Sequence, residues 1–105
     1  MKILIHITSN SELITYEAIA LAFLLASFDN EIQLQFDGAS IDRLKDKNSR
    51  LYGMIQSIHL YDIPKAWAAW ENTLLYAQLD NVIKTVLTQD YNDKPNDEFD
   101  SVLCF

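Results

Sequence analysis

The chain is poor in residues that break a fold or staple it. Its 105 residues include two glycines, Gly38 and Gly53, two prolines, Pro64 and Pro95, and one cysteine, Cys104. A single thiol excludes an internal disulfide and a cysteine cluster for zinc. So few turn formers disfavour an all-β sandwich, which needs many tight turns. Basic residues are scarce too: 8 Lys and Arg stand against 15 Asp and Glu, a formal charge of −7. That balance argues against direct nucleic-acid binding, which calls for a basic face. A membrane span needs roughly 18 uninterrupted apolar residues, and the longest apolar run, Ala18 to Ala26, is far shorter. The first residues do not read as a secretory leader, because His6 and Thr8 interrupt the short apolar stretch after Lys2. Together with the missing disulfide framework, this points to a cytoplasmic protein with no membrane attachment.

What is present is apolar mass. Half of the residues are hydrophobic, enough for one domain over residues 1–105 with a core of its own. Ile3 to Thr8 reads as a buried strand bounded by Ser9, Asn10 and Ser11. Ser9 with Glu12 fits a capping box, so a helix is expected over Glu12 to Phe28. That helix is apolar on nearly every side, with Leu13, Tyr16, Ala20, Phe23 and Leu24 on one face and Ile14, Ala18, Leu21 and Leu25 on another. A surface helix carries one apolar stripe. A helix apolar all round must be covered twice, by its own sheet and by another subunit.

Glu31 to Phe36 alternates and predicts a half-buried strand, with Ile32, Leu34 and Phe36 inward. Ile41 to Leu60 reads as a helical region interrupted near Asn48 and Gly53. Lys65 to Leu79 has helical propensity, yet Ala66 to Trp70 also fits a short buried strand. Val82 to Leu87 fits a strand or a helix end, Gln89 to Asp100 a polar loop, and Ser101 to Phe105 a final buried strand. Strands alternating with helices predict an α/β fold around a mainly parallel sheet.

Ligands of open α/β sheets sit beyond the carboxyl ends of the strands. The first such loop contains Ser9, Asn10 and Ser11, a candidate anion site whose plainer reading is a helix cap. There is no glycine-rich dinucleotide or Walker motif, and no cofactor is expected. Arg43, Lys45, Lys47 and Arg50 form a small basic spot that reads as an ordinary helix surface. His6 reads as a core residue, and His59 has no evident acidic partner beyond Asp62. Cys104 lies between Leu103 and Phe105, with Asp100 and the terminal carboxylate opposing ionisation, and is expected to be unreactive. No catalytic constellation emerges. The aromatics Tyr16, Phe23, Tyr61, Trp67 and Trp70 are instead candidate interface anchors.

A first strand ending in hydroxyl residues, a long apolar helix, Leu60-Tyr61-Asp62-Ile63, a following tryptophan and the ending Phe99-Asp100-Ser101-Val102-Leu103-Cys104-Phe105 together resemble the DsrE/DsrF/DsrH superfamily, most of all its TusC/DsrF type. The resemblance implies a flavodoxin-like three-layer sandwich in which Ala66 to Trp70 is a strand. It also implies a heterohexamer with TusB/DsrH-like and TusD/DsrE-like subunits, passing persulfide sulfur in tRNA wobble-uridine 2-thiolation or in related sulfur trafficking. The reactive cysteine of such assemblies belongs to the TusD/DsrE-like subunit, in a loop corresponding to Asp62 to Lys65 here, where this chain has no cysteine. The resemblance therefore implies a non-catalytic partner. The alternative is a small flavodoxin-like ligand-binding or redox domain using the Thr8 to Ser11 loop.

Overall fold

The computed structural model describes residues 1–69, 73–89 and 99–105. Strand β1 (Lys2–Ile7) leads into helix α1 (Glu12–Ala26) and strand β2 (Glu31–Phe36). Helices α2 (Ala39–Arg43) and α3 (Arg50–Ile55) and a short 3-10 helix (Ile58–Tyr61) precede β3 (Ala66–Ala68). Then come α4 (Thr73–Ala77), α5 (Asn81–Lys84), β4 (Leu87–Thr88) and β5 (Ser101–Cys104). The strands form one sheet in the order β4-β3-β2-β1-β5, every pair parallel. This is the expected α/β class around a parallel sheet. The strand order differs from the 2-1-3-4-5 of flavodoxin itself.

The order decides where the helices go. From β1 to β4 each strand is laid beside the last in the same direction. Right-handed crossovers taken repeatedly in one direction put their helices on one face. On that face Ile3, Ile5 and Ile7 stand in register with Ile32, Leu34 and Phe36. They share one core with Ala18, Ile19 and Ala22 of α1, Ile41 of α2, Leu51 and Ile55 of α3, and Ile83 of α5. The other face carries Leu4, His6, Gln33, Gln35, Trp67, Val102 and Cys104, none of which joins that core. Here Leu4 and Gln33 are buried, while Val102 and Cys104 are exposed.

Several expectations need correction. The cap of α1 is Ser11, whose Oγ accepts from the Ile14 amide at 3.3 Å, and not Ser9. Ser9 instead accepts from the Ser11 amide at 3.0 Å and shapes the turn before the cap. Glu12 does not return to the cap. Its Oε1 takes the Ser49 hydroxyl at 3.3 Å and lies 3.7 Å from Arg50. α1 ends at Ala26, short of Phe28, because Asp29 adopts a left-handed φ of 64° and reverses the chain. The helical region does break around Asn48, but Gly53 lies inside α3 and interrupts nothing. Leu51 and Ile55, both fully buried, hold α3 against the core across the glycine. Strand β5 is half exposed rather than buried, because only one of its faces meets the helices.

The ambiguous segments are each divided. Residues 66–68 are strand, as the family resemblance implies, while helix α4 follows within the same stretch. Trp70 lies outside the described residues. Val82 and Ile83, β-branched though they are, sit in α5, and the strand is confined to Leu87 and Thr88. Asp80 makes the difference. Its Oδ1 accepts from the Ile83 amide at 3.0 Å, nucleating the helix. Its Oδ2 accepts from the Tyr52 hydroxyl at 2.7 Å and faces Lys47 Nζ at 3.5 Å, tying α5 to α3.

Two stability outcomes follow. A Cβ at Gly53 would meet nothing within 4 Å, so Gly53→Ala should stabilise the protein by about 0.4–1 kcal/mol in urea unfolding, by restricting the unfolded chain. Asp80 is held below the usual carboxylate range, first by the Ile83 amide and then by the Tyr52 hydroxyl. A depressed folded-state pKa contributes stability above the unfolded value, roughly 3.9, and loses it as pH falls through the folded one. The Tm advantage of the wild type over Asp80→Asn should therefore be constant from neutral to mildly acid pH and shrink only below that window.

Candidate functional site

At the carboxyl end of the sheet the β1–α1 loop lies beside the end of β5. Thr8 donates to the Phe105 carbonyl twice, from its amide at 2.8 Å and its hydroxyl at 3.1 Å. Ser9 and Ser11 accept from loop and helix amides, and Arg43 Nε donates to the Asn10 carbonyl. Ser9, Asn10 and Ser11 are thus brought together as expected, and their described bonds shape the loop and start the helix. The neighbouring turn is fastened by Ser40, fully buried, whose Oγ donates to the Ile7 carbonyl at 2.7 Å and accepts from the Asp37 amide at 3.0 Å. Gly38, at φ 54°, supplies the left-handed step that lets Ser40 reach back.

His6, Asp37 and Cys104 also meet at this end. His6 and Cys104 are register partners on adjacent strands and share the sheet face opposite the core that the described helices cover. His6 Nε2 lies 3.8 Å from Asp37 Oδ2 and, though buried itself, has no hydrogen-bond partner among the described residues. The expected core histidine is therefore only half-buried and faces a carboxylate. Cys104 is exposed, contrary to its expected place in a buried strand. Asp100 is not its neighbour. It lies at the opposite end of β5, where its Oδ2 accepts from the Lys2 amide at 2.8 Å.

The candidate interface residues separate into two groups. Tyr16 lies near the start of α1, under Arg50, whose guanidinium carbon is 5.0 Å from the ring centroid. Phe23, two turns on, stacks on Tyr61 at 4.2 Å with ring planes 6° apart. Tyr61 and Trp67 line a cleft at the amino end of the sheet, where Trp67 meets Phe99 edge to face at 5.9 Å. Around these aromatics the large side chains of α1 face water: Leu13 is 62% exposed, Leu24 54%, and Phe28 beyond the helix 70%. Leu60, beside Tyr61, is 72% exposed.

The basic spot is an ordinary surface: Lys45 pairs with Asp42 at 2.8 Å, Lys47 with Asp80 and Arg50 with Glu12. Among the described residues no helix is long and apolar enough to cross a membrane, and no group of three or more His, Cys, Asp and Glu is placed to hold a metal ion. Sequence reasoning did not mark Ser40, Gln33 or Asp29 as site residues, and it took up Asp62 only as a neighbour of His59 and a member of the Leu60–Ile63 motif. The alternation of β2 marks Gln33 as pointing away from the core, but no pattern marks it as buried. Compared with protein-family models and with curated proteins, the chain matches none.

The exposure of Cys104 has a direct check. In the native protein it should react completely with a disulfide reagent such as Ellman's without denaturant. Labelling that requires unfolding would show the terminal strand to be covered.

Proposed function

We propose that this chain is a non-catalytic structural subunit of a hetero-oligomeric sulfur-relay assembly of the TusBCD/DsrEFH kind. It would serve tRNA wobble-uridine 2-thiolation or related sulfur trafficking. The observation that carries the reading is the exposure of Leu13, Leu24 and Phe28 on and beside α1. Only Thr15, Ala18, Ile19 and Ala22 of that helix are buried by the chain itself. Each large apolar side chain removed from water in a complex contributes about 1.5–3 kcal/mol. A row of them is a surface suited to a sibling domain.

In such a relay the thiolate of a TusD/DsrE-like partner attacks the outer sulfur of a donor persulfide. The S–S bond breaks, the donor leaves as a thiolate, and the partner carries the persulfide onward. This chain supplies the docking surface. Its Asp62 to Lys65 segment has no thiol to compete for the sulfur, and Cys104 lies at the opposite, carboxyl end of the sheet.

Purification of the tagged chain from its native host should bring down a small homologue bearing a loop cysteine. The double variant Leu24→Asp, Phe28→Asp, altered only at exposed positions, should keep its Tm and lose that partner. A stable lone monomer in the native extract would end the proposal.

A further inference from the structure

The outward face of α1 carries a charge that restricts what can cover it. Leu13, Glu17, Ala20 and Leu24 are spaced four, three and four residues apart and form one row. That row lies opposite Thr15, Ala18 and Ala22, which the sheet buries. Leu13 and Leu24 are exposed, and Glu17 is exposed between them. Glu17 makes no ion pair or side-chain hydrogen bond among the described residues. Phe28 continues the apolar surface past the helix end, and the Phe23–Tyr61 stack joins it to Leu60. Whatever takes Leu13 and Leu24 out of water takes Glu17 out with them. A carboxylate desolvated without a counter-charge cancels much of what the two leucines contribute.

The chain does not hold that counter-charge itself. From Ser11 to Glu31 there is no lysine, arginine or histidine. Arg50, at the start of the helix, is already engaged by Glu12 and the Tyr16 ring. A second copy laid α1 against α1 would bring another row without a cation, and a charge of −7 on each protomer would oppose the contact. The far end of the helix makes the same demand. Its last turn has no basic residue to answer the negative end of the helix dipole, and Asp29, just beyond Phe28, makes no ion pair among the described residues.

We propose that the outer face of α1 is covered by a protein segment that is apolar along one row and sets a lysine or arginine within that row, opposite Glu17. Its apolar side chains meet Leu13, Leu24 and Phe28, and its cation completes a pair that the chain leaves open. This assignment rests on the reading of α1 as an association surface and names the chemistry of the partner. A second copy of the chain does not supply it.

Two helical peptides of about five turns serve as probes, each with leucines along one face and neutral polar residues elsewhere. They differ at one position in the leucine face, lysine in one and glutamate in the other. Fluorescence anisotropy with the full chain should show the lysine peptide binding roughly tenfold tighter than the glutamate peptide, and added salt should narrow the gap. Glu17→Gln should abolish the preference and Glu17→Lys reverse it, at unchanged Tm. General attraction to an acidic chain would leave the preference intact in Glu17→Gln. Leu24→Asp should weaken both peptides. Failure of the lysine peptide to saturate at roughly 100 μM, equal binding of the two peptides, or a preference that survives Glu17→Gln would overturn the proposal. So would a wild-type dimer in sedimentation that Leu24→Asp dissociates. The comparison of the two peptides stands on the wild type alone, should the variants not fold. The relay reading fails separately, on the absence of a homologous subunit from the native extract.

Discussion

The seat of α1 on the sheet is the contact from which the other surfaces of this protein follow. The helix meets the strands through Thr15, Ala18, Ile19 and Ala22, a stripe at helical spacing made mostly of small side chains. The sheet supplies the bulk, with Ile3, Ile5, Ile7, Leu34 and Phe36 almost wholly buried. Small against large lets the helix lie close and fills the interface with β-branched and aromatic side chains. The same choice turns the larger helical residues outward. Leu13 and Leu24 stand on the side of the helix opposite this narrow seat and Ile14 on its flank, and they remain 62%, 54% and 42% exposed. Had the wide side chains been on the seat, the helix would have had a polar back and no reason to associate.

Topology then separates the two ends of the sheet. At the carboxyl end, Thr8 bonds the Phe105 carbonyl and Ser40 bonds the Ile7 carbonyl. Loops are stitched to strand ends by these bonds, while His6 Nε2 is left without a hydrogen-bond partner among the described residues. At the amino end the chain reverses twice through left-handed aspartates, Asp29 after α1 and Asp62 after the 3-10 helix. The chain enters β2 two residues after Asp29 and β3 four residues after Asp62, and both aspartates lie on the lining of the cleft.

How much of this could be read from the residues alone depended on whether a feature was periodic or relational. Glu31–Phe36 was legible residue for residue, because strict alternation admits one reading. The start of α1 at Glu12 was legible as well, while its cap was displaced from Ser9 to Ser11, since several hydroxyls in a row offer equivalent caps. Trp67 on a strand came from family likeness against propensity. The β-branched Val82 and Ile83 entered a helix because Asp80 caps it and Tyr52, far away in sequence, steadies that carboxylate. Exposure of Cys104 was not legible, because it depends on which face of β5 the helices leave bare. The cleft is relational throughout: Gln33, Asp62, Trp67 and Phe99 come from separate segments that only the sheet order brings together.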